Sequence, residues 1–391
     1  MIPTNLKTLY DIKNLENKKV LLRVDYNVPL EGNIVKDDTR IVESLATIKY
    51  LLNHNCKISM ISHLGRPDGK RDEKYSLKPV YNRFLEILKK EKINVSTKFY
   101  DEIENNQDDV QIKFYENTRF YYGDEICDEN FSQTLFKLGE IFVNDAFSLI
   151  HREHASNYGV AMLMPTYCGF LIEKELRAFQ KLENPVKPYI AIMGGAKISD
   201  KLKIIKNLIE KVDYILIGGA MAFTFLKAYG LNVGKSPVEE DMIKECEFLL
   251  ATKKIILPID FVGQEKFEDI KGKNFDCKNF PDNYLGLDIG KKSIDLFKEF
   301  IKSAHTIFWN GPMGVFEFEN YNKATLKIAK MIAKNKMCHS VVGGGDSVYA
   351  INKLKLEKGF SWISTGGGAS LKLVSGSNLK VLDTFNKDVK E

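Results

Sequence analysis

What this chain lacks narrows it quickly. No stretch strings together the ~18 apolar residues of a membrane-spanning helix. Met1 to Lys13 holds no apolar core of a signal peptide. The six cysteines (Cys56, Cys127, Cys168, Cys246, Cys277 and Cys338) are scattered, with no C-x-x-C pair and no metal-ligand spacing. Reduced structural thiols in a cytoplasmic protein are therefore expected. A net charge of +5 is too mild to point to nucleic acid by itself. No G-x-G-x-x-G is present, which removes the dinucleotide fingerprint and counts against a nicotinamide dehydrogenase. Gly234-Lys235-Ser236 looks like the end of a Walker A loop, but Gly230 stands one residue too close, a helical run precedes it and Pro237 follows. It reads as a plain loop. Arginine is scarce too: all eight (Arg23, Arg40, Arg66, Arg71, Arg83, Arg119, Arg152 and Arg177) precede residue 178.

That scarcity is informative. Where lysine is the default cation, a retained arginine is one whose planar fork is needed for phosphate or carboxylate. Arg71 and Arg83 read as surface residues. The others fall into a pattern, because the first half alternates strand, loop and helix, which implies a parallel sheet. Strands at Lys19–Val24, Ile58–Ile61, Ile112–Tyr115 and Ile141–Val143 are followed by loops that carry Asp25, Asn27, His63, Arg66, Arg119 and Arg152. Arg40 opens the helix that runs to Leu52. All of these sit just past strand ends, so they converge on one edge suited to a small, multiply anionic ligand.

The second half carries glycine turns instead. Val341-Val342-Gly343-Gly344-Gly345-Asp346-Ser347 is an apolar strand, a glycine turn and a helix start, with Asp346 and Ser347 expected as N-caps. Backbone N–H groups at such a turn hold phosphate, and Asp346 adds a carboxylate for a Mg²⁺ riding on it. The layout recurs at Met193-Gly194-Gly195-Ala196-Lys197, Ile217-Gly218-Gly219-Ala220 and Ser364-Thr365-Gly366-Gly367-Gly368. One such turn is equally a packing device. Four at the carboxyl edge of a parallel sheet point to a nucleotide or phosphate site. A helix over Cys168–Leu182, ended by Asn184-Pro185 and Lys187-Pro188, separates the halves, and Phe267–Asn283 reads as a polar, irregular surface excursion.

Several longer motifs resemble the phosphoglycerate kinase family: Arg23-Val-Asp-Tyr-Asn-Val-Pro29, Ser62-His-Leu-Gly-Arg-Pro67, Glu116-Asn-Thr-Arg119, His151-Arg-Glu-His-Ala-Ser156, Gly194-Gly-Ala-Lys-Ile-Ser-Asp-Lys201, Trp309-Asn-Gly-Pro-Met-Gly-Val-Phe-Glu317, Gly343-Gly-Gly-Asp346 and Ser364-Thr-Gly-Gly-Gly-Ala-Ser370. The match runs in the family's order from about Val20 to Ser370. The resemblance implies an α/β fold of two Rossmann-like, three-layer α/β/α domains with parallel sheets, joined by a hinge helix. It assigns 1–167 to a 3-phosphoglycerate-binding domain, 168–183 to the interdomain helix, 184–370 to a nucleotide-binding domain and 371–391 to a segment returning to the first domain. The implied reaction is reversible phosphoryl transfer between ATP and 3-phosphoglycerate, with Mg²⁺ bound alongside ATP or ADP.

Carried over by motif, Asp25, Asn27, Arg40, His63, Arg66, Arg119 and Arg152 match the phosphoglycerate site. Lys201 matches a phosphate contact, Glu317 the ribose contact, Gly218 and Gly219 the adenine pocket, and Gly344, Gly345, Asp346 and Ser347 the phosphate end, with Asp346 toward the metal. Arg40, Lys197 and the N–H groups of Gly366, Gly367 and Gly368 match the surroundings of the transferred phosphoryl group. The chain departs from the family at Lys291, Lys372 and near Lys380, which bears on the packing of the tail. A cytoplasmic monomer is expected, acting on small molecules without nucleic acid or membrane, and closing on its two ligands by bending at the ends of the 168–182 helix and near Ser364–Ser370. The competing reading is a non-catalytic anion- or nucleotide-binding protein.

Overall fold

Strands that are apolar at every position must be covered on both faces, and the strands here follow that rule. The computed structural model describes residues 6–386. It divides into two units, one formed by the chain up to Arg177 together with the residues from Asn378, the other by Ala178–Ser377.

In the first unit β1 (Lys19–Arg23) is followed by a short antiparallel ribbon, β2 (Leu30–Glu31) with β3 (Ile34–Val35). Then come β4 (Lys57–Ile61), β5 (Thr97–Tyr100), β6 (Ile112–Tyr115), β7 (Ile141–Asn144) and β8 (Thr166–Cys168). The main sheet is wholly parallel in the order β5-β6-β4-β1-β7-β8. Alternate residues face opposite ways. Val20, Leu22, Met60 and Phe114 pack with Ile41 and Leu45 of α1 (Thr39–Asn53) and Phe84 of α2 (Lys78–Lys90). Leu21, Tyr115 and Phe142 pack on the other face with Phe131 and Leu135 of α4 (Glu129–Phe136), which follows the single turn α3 (Tyr122–Glu125). Register matters most for the site: Arg23 pairs with Ile61 on one side and Asn144 on the other, so β1, β4 and β7 end level.

Helix α5 (Phe170–Glu183) is the element expected at 168–182, and the division between the units falls within it. In the second unit β9 (Tyr189–Met193), β10 (Tyr214–Ile217), β11 (Ile255–Ile256), β15 (Thr306–Asn310), β16 (His339–Gly343) and β17 (Trp362–Ile363) form a parallel sheet, ordered β11-β10-β9-β15-β16-β17. Met193, Ile217, Asn310 and Gly343 stand level at its carboxyl edge. Its helices are α6 (Leu202–Leu208), α7 (Met221–Ala228), α8 (Ile243–Ala251), α9 (Lys291–Ser303), α10 (Lys323–Lys334), α11 (Gly345–Lys353) and α12 (Gly368–Val374). A separate antiparallel sheet is made by β12 (Asp260–Gln264), β13 (Lys273–Asp276) and β14 (Leu285–Ile289), with β12 in the middle. The segment read as an irregular excursion thus contains a strand. Its polar residues misled because β13 is an edge strand and largely exposed.

The departures at lysine find ordinary places. Lys291 is the first residue of α9, where its ammonium pairs with Asp295 at 2.6 Å. Lys372 is exposed on α12. Lys380 opens α13 (Lys380–Thr384), which buries Val381 and Leu382 in the first unit, and its ammonium meets Glu153 at 2.8 Å. Among the described residues no helix is long and apolar enough to cross a membrane.

Asp145 shows how α5 is started. Its Oδ1 accepts the N–H groups of Leu171 (2.8 Å) and Ile172 (3.3 Å), while Phe170 N–H donates to Thr47 Oγ1 at 3.0 Å. Burial pushes the Asp145 carboxyl up to about 6, against the lowering by these hydrogen bonds. The unfolded value is about 3.9, so between about pH 4 and 6 the folded state holds the extra proton and stability from this group declines as pH rises. Two pKa units correspond to about 3 kcal/mol. Asp145→Asn keeps an acceptor for the helix and abolishes the titration. Its melting temperature relative to the parent should therefore improve between pH 4.5 and 7.5. A constant difference across that range would remove Asp145 as the titrating group.

Candidate functional site

The level ends of β1, β4 and β7 bring Asp25, Asn27, His63 and the loop after Asn144 together. Arg40 Nη1 reaches both Asp25 carboxylate oxygens, at 3.0 Å (Oδ1) and 2.9 Å (Oδ2), and also donates to the Asn27 carbonyl at 3.0 Å. Ser148 Oγ donates to Asp25 Oδ2 at 2.5 Å. Asn27 Oδ1 accepts the Gly65 N–H at 2.9 Å, and the Gly65 carbonyl accepts from Arg119 Nη1 at 2.7 Å. Arg119 is buried, and its Nε faces Glu125 Oε1 at 3.2 Å, off the N–H direction. Arg66 and Arg152 are exposed, and the charges of both act on Arg119.

Beneath this edge lies Arg23, which is fully buried. Its Nη1 donates to the Val24 carbonyl at 3.2 Å and its Nη2 is 3.2 Å from His63 Nδ1. Burial lowers Arg23 to about 10, opposed by Asp124 and Asp25. Burial, then Arg23, Arg119, Arg40 and His154, hold His63 well below the ordinary imidazole range. His154 is lowered to about 4 by burial and by Arg119, Arg23 and Arg152, against the pull of Asp124. Both imidazoles are neutral at pH 7, so the positive charge of this edge is carried by guanidinium groups. Asp124 is the fully buried counter-charge, and its Oδ1 accepts the Ser156 N–H at 2.9 Å.

The second unit holds a pocket of about 340 Å³ at the carboxyl edge of its parallel sheet. One wall is apolar: Phe223 from α7, Phe261 from β12, Leu287 from β14, and Met313. Pro237 and Phe267 line it as well. Gly195, Gly219, Glu317 and Asp346 are also part of the lining. Gly219 has to be glycine. Its φ is +67°, and a Cβ there would lie 2.5 Å from the Gly195 backbone N and O. Gly218 sits behind the wall, against Met313 Sδ.

Lys201 donates through Nζ to Asn310 Oδ1, while Asn310 Nδ2 donates to the Gly343 carbonyl at 2.7 Å. Burial lowers the Lys201 ammonium, against the pull of Asp200 and Asp346. Asp346 and Ser347 are not N-caps as expected. Helix α11 begins at Gly345 behind Gly344, whose φ of +97° only glycine adopts easily, so both lie inside the first turn. Ser347 instead accepts the Gly311 N–H on its Oγ at 2.8 Å. Lys197 is exposed on the turn after β9, while Gly366, Gly367 and Gly368 lead into α12 after β17, outside the pocket lining.

Sequence reasoning passed over Arg23, Asp124, Ser148 and His154 in the first unit. It also missed Pro237, Phe223, Phe261, Phe267, Leu287 and Met313 in the second. Arg23 did carry a signal, a charge closing the apolar run Val20-Leu21-Leu22. The pocket wall carried none, since its residues read as ordinary core.

Comparisons with known proteins agree with one another. A family model described as phosphoglycerate kinase matches residues 9–377. The chain is 46% identical over 400 residues to a phosphoglycerate kinase of Finegoldia magna, covering 98% of this chain and 100% of that one. It is also 46% identical over 398 residues to one of Aquifex aeolicus, covering 98% and 99%. A solved phosphoglycerate kinase from Coxiella burnetii superposes with a TM-score of 0.89 at 33% identity, over 98% of this chain and 99% of that one.

Proposed function

We propose an assignment of roles that starts from one fact: this chain belongs to the phosphoglycerate kinase family. Its activity is reversible phosphoryl transfer between ATP and the carboxylate of 3-phosphoglycerate, giving ADP and 1,3-bisphosphoglycerate. The observation that carries the assignment is the contrast between the units. One offers an edge of guanidinium groups, the other a largely apolar pocket with glycine turns in its lining.

On this reading 3-phosphoglycerate, with a phosphate and a carboxylate, is held by Arg66, Arg119 and Arg152 through paired N–H contacts. Asp25, Asn27 and the neutral His63 supply hydrogen bonds that orient it. The base of ATP enters the apolar pocket at Gly218 and Gly219, Glu317 takes the ribose, and Lys201 with the Gly344–Ser347 turn takes the phosphates. Asp346 fits a nucleotide-borne Mg²⁺, which uses one or two carboxylates plus phosphate oxygens: it is exposed and lines the pocket, its charge already felt by Lys201. Bound there, the ion would neutralise charge on the phosphate oxygens. Lys197, Arg40 and the N–H groups of Gly366–Gly368 face the transferring group, whose negative charge spreads over its oxygens. The acceptor is already a carboxylate, so no general base is required. A coupled assay is the test: ADP should form from MgATP only when 3-phosphoglycerate is added. Binding of both without turnover would leave a non-catalytic binding protein. The chain is read as a monomer working in the cytoplasm.

In-line transfer needs reacting atoms about 3–3.5 Å apart with water excluded. Ligands held by separate units meet that condition through closure about the ends of α5 and the Ser364–Ser370 segment. The radius of gyration in small-angle scattering should fall most with 3-phosphoglycerate and a nonhydrolysable MgATP analogue together. An unchanged radius at saturation with both would rule the closure out.

A further inference from the structure

The loop that imitates a Walker motif has a use that its sequence hides. Residues 230–239 are anchored on two sides: Ser236 Oγ accepts the Gly286 N–H at 3.0 Å, and the Glu239 N–H donates to Thr224 Oγ1 on α7 at 3.1 Å. Pro237 lines the nucleotide pocket. From this fixed base the Glu239 side chain reaches the turn after β9. Its Oε2 accepts the N–H groups of Ile198 (2.5 Å) and Ser199 (3.2 Å), and its Oε1 accepts from Ser199 Oγ at 2.5 Å.

That turn runs from Gly194 to Lys201. Gly194 and Gly195 are tied to the sheet edge through the Asn310 and Pro312 carbonyls, and Lys201 N–H closes on the Ile198 carbonyl. Between them Ala196 and Lys197 are exposed, and the next two residues end on one carboxylate. Burial opposes charge on Glu239, yet the hydrogen bonds from Ser199 and Ile198 and the charge of Lys197 bring its carboxyl below the ordinary value. It is therefore an ionised acceptor at neutral pH.

We propose that Glu239 is a positioning residue for phosphoryl transfer: its carboxylate holds the turn that presents Lys197 to the transferring group. The proposal rests on the role given above to Lys197. Glu239 touches neither substrate; it acts by keeping an otherwise exposed ammonium in register. A displacement of about 1 Å in a catalytic group can cost ~10²-fold in rate, so a single strut of this kind can govern turnover without forming part of a binding site.

The test is a mutant cycle of Glu239→Ala, Glu239→Gln, Lys197→Ala and the double variant Glu239→Ala/Lys197→Ala, with kcat and both KM values measured. Glu239→Ala should lower kcat about 10- to 100-fold, with KM for 3-phosphoglycerate within about twofold of the parent. Glu239→Gln, which keeps one acceptor oxygen, should fall between and carries the test if the alanine variant does not fold. The double variant should be no slower than Lys197→Ala alone, because a strut has no effect once the group it holds is gone. Parental kcat in both Glu239 variants would overturn the proposal and leave the role of Lys197 standing. A full additional loss in the Lys197→Ala background would also overturn it. Parental turnover in Lys197→Ala would instead remove the reading on which the proposal rests.

Discussion

Lys197→Ala and Arg40→Ala should each lower kcat by ~10²–10³ while leaving nucleotide binding nearly unchanged, the scale set by losing one preorganised donor to transition-state charge. Arg40 is the better braced of the two. Its Nη1 lies within 3.0 Å of both Asp25 oxygens and the Asn27 carbonyl. On the proposed reading the rest of the guanidinium, only partly exposed, is left to the ligand. Lys197 is exposed and, on the proposed reading, depends on the turn beneath it. Arg40→Ala also strips the buried Asp25 of its ion pair, so its melting temperature has to be followed alongside kcat. Arg40→Lys restores the charge without the fork and should recover only part of the rate. Turnover at the parental level in either alanine variant would sink the assignment of these two groups.

How much of this was legible follows from where each signal lies in the chain. β9, β10 and β6 could be bounded to the residue because an apolar run bracketed by turn residues is a local pattern. β5 and β8 escaped: Thr97–Tyr100 is an edge strand with a single buried residue, and Thr166–Cys168 is three residues long. The arginine edge was readable because arginine is rare and its spacing follows the strand ends. The pocket wall was not, because Phe223, Phe261 and Leu287 are brought together from positions well separated in sequence and differ in no local way from core residues. Glu239 illustrates the same limit, since its partners at Ile198 and Ser199 are 41 and 40 residues away.

Counter-charges were the other hidden part. A run of guanidinium groups is easy to see, but what allows them to be buried is not. Arg23 and Arg119 lose hydration on folding, which lowers both. Asp124 and Glu125 oppose that loss from α3, a single turn with no periodicity to betray it. Isolated charges would not survive this burial, so the acidic pair is as much a condition of the site as the arginines.

Arg119→Lys is expected to weaken 3-phosphoglycerate binding by roughly 10- to 150-fold, the equivalent of losing about 1.5–3 kcal/mol from a charge-assisted hydrogen bond. The charge number is conserved, so the loss measures geometry. Arg119 Nη1 donates inward to the Gly65 carbonyl at 2.7 Å and Nε faces Glu125 at 3.2 Å, which leaves Nη2 for an anion. A lysine ammonium is a compact point charge. It can serve the Gly65 carbonyl or the ligand, but not both along the directions a planar fork provides. Burial among Arg66 and Arg152 adds to the effect, because both conditions that lower Arg119 also act on an ammonium that gives up its proton far more easily. The pocket proposed for ADP is built from Gly195, Phe223, Leu287 and Glu317 of the other unit, so ADP affinity should not change. Separate calorimetric titrations of Arg119→Lys with 3-phosphoglycerate and with MgADP give the answer directly. Equal weakening of the two ligands would mean that Arg119 acts through the stability of the whole chain, and its place in the acceptor site would have to be given up.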